Sequence, residues 1–359
     1  MNVTIFGLSV SSSWGNGHAA LWRGLIRALL AAGHRVTFFE RDVAYYAEHR
    51  DLHTLPQGGE LVLYPDWNAA LPRMQRALAD ADVGVITSYC PDALAATTLL
   101  QDGRAMRCFY DLDTPVTLAR LAAGEAVDYV GPNALRDFDL VLSYTGGVAL
   151  DALRDRLGAR RVVPLYGSVD PELHRPALPR ADYAGLLSYL GTYAADRQAA
   201  LERLFVEPAR RRPDDRFVLG GAQYPDGFPW TPNTWFVRHL PPPEHPAFYC
   251  SSRLTLNVTR EAMATMGWCP SGRLFEAAAC GVPILSDAWP GLNSFFQPGE
   301  EILMAHTTED AMGALALPDA ELAAIARHAR DRTLSEHSAT RRAAEMVAAF
   351  EAALQPEAA

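Results

Sequence analysis

The stretch at residues 269–287, CPSGRLFEAAACGVPILSD, decides the fold. Its pattern predicts a loop, a buried helix, a turn and a short core strand. Pro270 and Ser271 favour a helix start, because serine caps unpaired amides and proline suits the residues around a first turn. Gly281 is a typical stop residue, and Pro283 prevents the helix from continuing. The stretch therefore predicts a largely buried helix that leads directly into a core strand.

Glu276 places a carboxylate about one turn inside this buried helix, where an unpaired charge is costly. The helix start at Ser271 and Gly272 favours phosphate, since unpaired amides and the helix dipole attract anions. With a diphosphate on those amides, Glu276 reaches the hydroxyls of the adjoining ribose, which is the geometry of a nucleotide-sugar site. The alternative is an ion pair with Arg273, three residues back. Spacing alone leaves both interpretations open.

This segment, with residues 289–292 (WPGL) and 298–303 (PGEEIL), resembles the donor-site signature of group-1 glycosyltransferases. It is more closely similar to the CgeB-like, spore-maturation-type branch. The resemblance implies an α/β protein of the GT-B fold, with two Rossmann-like domains of parallel sheets, an interdomain cleft and a C-terminal helix crossing back to the N-terminal domain. It implies transfer of a sugar from a UDP, TDP or GDP sugar. The chain departs from the pattern at Trp268, where many group-1 enzymes carry a second Glu that contacts the transferred sugar.

Length and composition narrow the class of protein. The 359 residues are enough for two domains of ordinary size. The net charge of −10 disfavours nucleic acid as a partner. Five cysteines without a CxxC pair indicate reduced core thiols rather than a disulfide or zinc framework. No leader pattern and no apolar run of about 20 residues are present, so we expect a cytoplasmic protein without a membrane span.

The start of the chain predicts a doubly wound parallel sheet. Residues 2–8 and 34–40 are apolar strands, and they flank a loop at 9–16 and a helix at 19–32. Such sheets bind ligands beyond the carboxyl ends of their strands. The loop lacks GxGxxG and the Lys-Ser/Thr of a P-loop, which disfavours a nicotinamide dehydrogenase. His18 lies at the helix start and is either a capping or packed residue or, by the resemblance, a residue that faces the acceptor.

Asp113 is the second candidate for an acceptor contact. Asp111-Leu112-Asp113 matches the three-residue D-x-D pattern of metal-using transferases, but the match is short and further ligands are not evident, so no metal site is predicted. Asp113 either caps a helix at 116–123 or, by its resemblance to the corresponding CgeB-like loop, contacts the acceptor. If the reaction inverts configuration, His18 or Asp113 deprotonates the acceptor hydroxyl. If it retains configuration, no strong base is required.

The second half repeats the strand, loop and helix pattern. A strand at 183–190 leads into Gly191, Thr192 and Arg197, where we expect a donor diphosphate to approach and Arg197 to neutralise it. Arg197 is alternatively a solvated helix charge. Further phosphate candidates are Arg260 and Arg273. The resemblance makes His239 and Leu240 candidates for contacts with the nucleotide base.

These patterns predict an acceptor-side domain at 1–173, a donor-binding domain at 174–334 and a returning helix at 335–359. Residues 305–334 are Ala-rich and predict helix. The expected partners are a nucleotide-sugar donor and a small-molecule, glycan or protein acceptor, with no cofactor required. Two rival functions remain open, namely a GT-B sugar-nucleotide epimerase and a non-catalytic sugar-nucleotide-binding protein. Incubation with donor alone separates the first rival, and donor binding without turnover identifies the second.

Overall fold

The computed structural model describes residues 1–355, which divide into two compact units. The first unit contains Met1–Tyr166 together with the helix that begins at Ala339, and the second unit is Gly167–Ser338. Both units consist of a parallel sheet with helices between the strands. The fold class predicted from the sequence, two Rossmann-like α/β domains, is confirmed. The part of the predicted segment 335–359 beyond residue 355 lies outside the described residues.

The first unit alternates strands and helices along the chain. Its elements are β1 (Asn2–Gly7), α1 (Gly17–Ala31), β2 (Arg35–Arg41), α2 (Ala44–Ala47), β3 (Gly59–Tyr64), α3 (Trp67–Ala79), β4 (Val83–Thr87), α4 (Ala93–Gln101), β5 (Met106–Asp111), α5 (Thr114–Ala122), β6 (Leu140–Ser143), α6 (Val148–Leu157) and β7 (Val162–Pro164). β1 and β4 are almost entirely buried because helices cover both faces of a parallel sheet.

The strand order of the first sheet creates a ligand-binding edge. The order is β3-β2-β1-β4-β5-β6-β7, with every neighbouring pair parallel. The chain winds outward from β1 to β3 and then returns to the other side of β1 at β4. Beyond the carboxyl ends of β1 and β4 the connections diverge to opposite faces, which is where doubly wound sheets bind ligands.

The second unit repeats this architecture, with shorter helices between its strands. Its elements are β8 (Gly185–Leu190), α7 (Gln198–Leu201), a π-helical turn (Glu202–Val206), α8 (Glu207–Arg211), β9 (Phe217–Gly221), β10 (Thr234–Arg238), α9 (His245–Cys250), β11 (Ser252–Asn257), α10 (Glu261–Met266), α11 (Gly272–Ala279), β12 (Ile284–Asp287), β13 (Leu303–Ala305), α12 (Thr308–Ala316) and α13 (Asp319–Glu336). The sheet order β10-β9-β8-β11-β12-β13 is again parallel and reverses between β8 and β11.

One further helix, α14 (Ala339–Leu354), returns the chain to the first unit. It packs against α1, and its apolar side chains Ala343, Met346, Ala349 and Phe350 are part of the core that contains β1 and α1. The amphipathic pattern of α14 is therefore satisfied by a core that was otherwise built from the first 166 residues.

One local prediction needs correction. The Ala-rich tract 305–334 is not helical throughout, because its first residue, Ala305, ends β13, and because α12 and α13 are separate helices. The break between these helices falls at Leu317, which has extended backbone (φ −60°, ψ 147°) because it precedes Pro318.

Candidate functional site

Helix α11 carries Glu276 into the interior of the second unit. Leu274, Phe275 and Ala277–Ala279 are buried on this helix, which fixes its orientation and leaves the Glu276 side chain 18% exposed. Its carboxylate accepts a hydrogen bond from the Tyr249 hydroxyl at 3.2 Å. His174 Nε2 and His245 Nδ1 each lie 3.9 Å from the same oxygen, Oε2.

The surroundings of Glu276 stabilise its charged form. Burial alone opposes ionisation, but His174, His245 and Arg273 act electrostatically in the other direction. The Tyr249 hydroxyl adds a hydrogen bond to the charged carboxylate. The balance lowers the pKa of Glu276 below its ordinary value, so the side chain is an ionised acceptor at neutral pH.

Arg273 does not neutralise Glu276 directly. Its Nε donates to the carbonyl of Leu190, and its Nη1 donates to Asn257 Oδ1 at 2.8 Å. The guanidinium also lies 5.1 Å from the centre of the Tyr189 ring. Among residues 1–355 no direct Arg273–Glu276 ion pair is found, and Arg273 acts on Glu276 electrostatically over a longer distance.

Three arginines converge on the loop that follows β8. Arg197 and Arg260 act electrostatically on one another, and Arg197 and Arg273 do so as well. Arg260 Nε donates a hydrogen bond to Asp196 Oδ2 at 3.1 Å. Arg197 Nη1 donates to the carbonyl of Thr192, also at 3.1 Å. Burial and the neighbouring cations lower the pKa of Arg197, opposed by Tyr189 and Asp196. Arg197 is thus not the solvated helix charge that the sequence left possible.

Gly191 provides space beside these cations. A Cβ at Gly191 would lie 2.8 Å from Tyr189 Oη and 2.9 Å from Arg273 Nη2, which is too close for a side chain. The Gly191 amide donates to the Gly220 carbonyl at 2.9 Å, and its own carbonyl accepts from the Tyr224 hydroxyl at 3.0 Å. Gly191 therefore offers a ligand close approach rather than a free amide.

Ser271 and Gly272 form the start of α11, but not as the sequence suggested. Ser271 occupies the cap position with extended backbone, and within the described part of the chain its hydroxyl makes no capping hydrogen bond. The Leu274 amide donates to the Ser271 carbonyl at 3.0 Å, whereas the amides before it have no intrahelical acceptor. The helix start therefore keeps its amides and its dipole available for an anion, and the capping role predicted for Ser271 is not observed.

His239 and Leu240 are linked to the Glu276 cluster through His245. His239 has a left-handed backbone (φ 50°), and its amide donates to the Gly221 carbonyl at 2.8 Å. The carbonyl of Leu240 lies 3.2 Å from His245 Nε2. The structure thus brings the two proposed base contacts to the side of the cluster that holds Glu276.

Trp268, the position where the resembling enzymes carry Glu, has an unusual backbone. Its φ is 44°, and its amide donates to the Pro290 carbonyl at 2.8 Å. The indole ring lies so close to Gly291 that a Cβ there would come within 2.5 Å of it. An indole thus takes the place of a carboxylate beside the loop that follows β12.

In the first unit, His18 and Asp113 come together at the carboxyl edge of the sheet. Asn16 caps α1 by accepting from the His18 amide at 3.1 Å, so the His18 ring is not the cap. His18 Nε2 lies 3.8 Å from Asp113 Oδ2, and both side chains are 19% exposed. Asp113 precedes α5, but no capping bond from its side chain is found in residues 1–355. The two candidates therefore form a pair.

Two neighbouring residues, Tyr89 and Asp111, support this pair. Tyr89 has a left-handed backbone (φ 62°), and its ring centre lies 5.7 Å from that of His18. Burial and Asp113 raise the pKa of the Tyr89 hydroxyl well above its usual range. Asp111 is fully buried and accepts from the Asp113 amide and Thr117 Oγ1, each at 3.1 Å. The D-x-D match is thus a turn with one buried carboxylate.

His174 and His245 were also missed by the sequence analysis. They lie 71 positions apart in the chain (245 minus 174), and neither belongs to a short motif. With Glu276 they form the one group found in the described residues whose three side chains have metal-ligand atoms within 4.8 Å of one another. Only the fold brings these residues together, so the sequence offered no signal for them.

Comparisons with known proteins agree with this architecture. Residues 197–348 match the model of a family described as glycosyl transferase-like. No curated protein sequence matched the chain. Sucrose-phosphate synthase from Thermosynechococcus elongatus is similar in structure, with a TM-score of 0.73 and 15% identity, covering 98% of this chain and 99% of that chain.

Two further similar structures were determined with nucleotides. Anabaena HepE in complex with UDP and glucose has a TM-score of 0.68 and 11% identity, covering 98% of this chain and 100% of that chain. The catalytic domain of starch synthase IV from Arabidopsis thaliana, bound to ADP and acarbose, has a TM-score of 0.67 and 11% identity, covering 98% and 99%. At these identities the likeness shows the fold alone, which is the GT-B fold.

The described helices were compared with the requirements for a membrane-spanning helix. None of those in residues 1–355 combines the length and the hydropathy that a membrane crossing requires.

Proposed function

We propose that the protein is a glycosyltransferase of the CgeB-like branch that moves a sugar from a nucleotide-diphosphate sugar to an acceptor hydroxyl without requiring a metal. The main support is the convergence of Arg197, Arg260 and Arg273, of which Arg273 also acts electrostatically on the carboxylate of Glu276. The family match at residues 197–348 and the similar structures with UDP or ADP also favour it. The free cysteines in the described chain favour the cytoplasm.

In this proposal the donor lies across the carboxyl edge of the second sheet. Its diphosphate contacts the start of α11 at Ser271 and Gly272, together with the three arginines. Glu276, ionised and about one turn inside the helix, accepts hydrogen bonds from the ribose hydroxyls. The base lies beside His239 and Leu240. Both protein charges and helix amides then stabilise the negative charge that develops on the leaving diphosphate, which is why no metal is needed.

The first unit supplies the acceptor side of the reaction. The bond between the anomeric carbon and the diphosphate oxygen breaks, and a bond from that carbon to the acceptor oxygen forms. For transfer with inversion, His18 Nε2 takes the acceptor proton, and Asp113, 3.8 Å away, stabilises the resulting imidazolium. The nucleoside diphosphate leaves as an anion.

A binding screen tests the donor assignment. We expect one of UDP, TDP, GDP or ADP to raise the thermal stability of the protein, because a ligand that binds the native state stabilises it by mass action. Glu276→Gln should weaken binding of both the nucleoside diphosphate and the corresponding nucleoside, since both ligands contain the ribose. The loss should be about 10- to 100-fold for hydrogen bonds to a charged group.

Arg197→Ala separates phosphate binding from ribose binding. The substitution should strongly weaken binding of the nucleoside diphosphate and should change binding of the nucleoside little. Arg210→Ala is the matched control, because Arg210 is an exposed arginine of the same unit. Equal losses for diphosphate and nucleoside in Arg197→Ala would remove its phosphate role. Unchanged nucleotide affinity in Glu276→Gln would refute the donor site.

A further inference from the structure

The cluster of His174, His245 and Glu276 has the composition of a transition-metal site. His174 comes from the segment before β8, His245 begins α9 and Glu276 lies on α11, so three separate parts of the second unit meet here. His174 Nε2 and His245 Nδ1 are each 3.9 Å from Glu276 Oε2. That separation is too long for hydrogen bonds, so direct bonding between these groups does not explain why they converge.

His245 has the hydrogen-bonding pattern of a metal-binding imidazole. Its Nε2 lies 3.2 Å from the Leu240 carbonyl, which only accepts hydrogen bonds, so Nε2 carries the hydrogen. Nδ1 then presents its lone pair to the cluster, and in the described chain it has no hydrogen-bond partner. A histidine that donates one N–H to a backbone carbonyl and turns its other nitrogen to a metal is the usual arrangement.

His174 is the more unusual member of the cluster. Its side chain is 4% exposed, yet neither ring nitrogen has a hydrogen-bond partner among residues 1–355. Buried polar groups normally find partners, so an imidazole left without any is unfavourable. Because Nε2 is directed towards Glu276 Oε2, a ligand between them would satisfy it.

We propose that His174 Nε2, His245 Nδ1 and the Glu276 carboxylate bind a divalent transition-metal ion of the zinc class. Two imidazole nitrogens and one carboxylate are a donor set that zinc uses in sites with one open position. Bonds of about 2.1 Å in a tetrahedron place ligand atoms roughly 3.4 Å apart. Each nitrogen–oxygen separation of 3.9 Å therefore needs to shorten by about half an ångström. The two nitrogens lie within 4.8 Å of each other, so their separation needs to shorten by about 1.4 Å at most.

Metal binding at this cluster has a direct consequence for donor binding, and this step rests on the proposed function. The carboxylate that would hold the ion is the one assigned to the ribose. A bound ion withdraws the negative charge and the lone pairs that accept the ribose hydroxyls. The ion is therefore an inhibitor that excludes the donor, not a participant in sugar transfer.

Cobalt absorption tests the site in the full-length protein. Co²⁺ replaces zinc and gives visible absorption bands when bound by nitrogen and oxygen ligands. We expect one Co²⁺ per chain, displaced by Zn²⁺. His174→Gln and His245→Gln should each weaken binding by about 100-fold, since loss of an outer-shell partner alone costs about 10- to 100-fold. His306→Gln, which changes an exposed histidine of the same unit, should bind as the wild type does.

Several outcomes of this experiment would overturn the site. One is a wild-type protein that gives no bound-cobalt spectrum. Another is a pair of folded variants, His174→Gln and His245→Gln, that keep wild-type affinity. Circular dichroism on each variant identifies misfolding, and the wild-type titration decides the matter if both variants misfold.

A second measurement tests the competition. Nucleoside diphosphate affinity is measured with and without saturating Zn²⁺ in wild type and in His174→Gln. Nucleotides chelate zinc in solution, but that effect is equal for both proteins. We expect zinc to weaken nucleotide binding at least about tenfold more in wild type, as expected for loss of a charged hydrogen-bond acceptor. If the protein binds metal but zinc weakens nucleotide binding equally in wild type and in His174→Gln, the proposed competition between metal and donor is wrong. Unchanged nucleotide affinity in Glu276→Gln would instead refute the proposed function.

Discussion

His18 and Asp113 belong to different parts of the first unit, yet their side chains lie 3.8 Å apart. His18 Nδ1 is buried and without a hydrogen-bond partner in the described chain, so Nε2 is the nitrogen left to exchange a proton. That atom faces Asp113.

We therefore expect His18→Gln and Asp113→Asn to impair turnover and not donor binding. All assigned donor contacts lie in the second unit, so the donor affinity should change by less than about twofold. For His18→Gln, kcat should fall by about 10²- to 10⁴-fold, the usual contribution of general base catalysis. Steady-state kinetics and nucleotide titration on the same samples measure both quantities.

A His18→Gln variant with wild-type kcat would contradict the assignment of His18 as the base.

Asp111 predicts a different pH effect, on stability. Burial chiefly, and the nearby charge of Asp113, raise its pKa from 3.8 to about 6, against the hydrogen bonds it accepts. The native state therefore binds more protons than the unfolded state between about pH 4 and pH 6, and stability falls as pH rises through that window. The shift of two units corresponds to about 3 kcal/mol at most.

Asp111→Asn should remove this part of the pH dependence. The asparagine oxygen keeps the two hydrogen bonds that Asp111 Oδ1 accepts, so the variant should retain its fold. Urea unfolding at pH 4 to 7 measures the change. The exposed Asp128→Asn is the control and should follow the wild-type curve. A wild-type profile in Asp111→Asn would show that this carboxyl ionises normally.

At this scale the sequence could propose only residues whose motif is local. Ser271, Gly272 and Glu276 were proposed because helix starts and periodic burial are visible in 19 consecutive residues, 269–287. Arg260 and Arg197 were proposed because each follows a strand, and the carboxyl ends of parallel strands share one edge. His174 and His245 were not, because pairing of distant side chains is decided by packing. The hydrogen-bond partners of Arg273 are likewise set by tertiary packing, because Leu190 and Asn257 are distant from it in sequence.

The loops that follow β8 and β9 are packed against each other through glycine. Gly221 has a φ of 155°, and a Cβ at this position would lie 2.0 Å from the Gly191 carbonyl oxygen. The contact is with backbone, so a neighbouring side chain cannot move to relieve it. The two strand ends are thereby held at one spacing, beside the arginines and the Glu276 cluster.

Gly221→Ala should therefore reduce both stability and nucleotide binding. We expect a loss of about 1–3 kcal/mol in the free energy of unfolding, the range for overpacking a well-packed site. Nucleotide affinity should fall as the Gly191 loop moves. Gly227→Ala is the matched control, because the added methyl group would meet nothing within 4 Å. Equal behaviour of the two variants would mean that the loop spacing is unimportant.

The elements themselves were predictable to different degrees. β1, α1 and β2 were recognised from apolar patterns and the glycine at position 33, and the structure has them within a few residues. The Ala-rich tract was not divided correctly, since alanine favours helix throughout while Pro318 and the capping box at Thr307 set the true boundaries. A pattern reports which state a residue favours, whereas a boundary depends on one or two special residues.

At the scale of the whole molecule, the first unit depends on a helix that is distant in sequence. Phe350 and Met346 on α14 are fully buried in the core that contains β1 and α1. The division of the chain into two similar parallel sheets was visible in its repeated strand and helix pattern. The membership of α14 in the first unit followed from the resemblance, because an amphipathic helix does not by itself reveal its partner.

Phe350→Ala should destabilise the first unit by about 3–5 kcal/mol, the usual effect of a large cavity. Thermal unfolding should show an earlier transition, while nucleotide binding at low temperature should stay at the wild-type value because the assigned contacts lie in the second unit. Leu354→Ala, at an exposed position of the same helix, is the control. A Phe350→Ala protein with wild-type melting would contradict the role of α14 in this core.

The position of α14 also constrains the order of events during synthesis. A ribosome translates β1 to β7 before the second unit, yet it adds the helix that completes their shared apolar core only after residue 338. Until α14 is synthesised, part of the apolar surface of the nascent first unit stays uncovered. The second unit, in contrast, has all of its segments as soon as residue 338 emerges. Chaperone binding to nascent chains should accordingly persist on the earlier half for longer than on the later one.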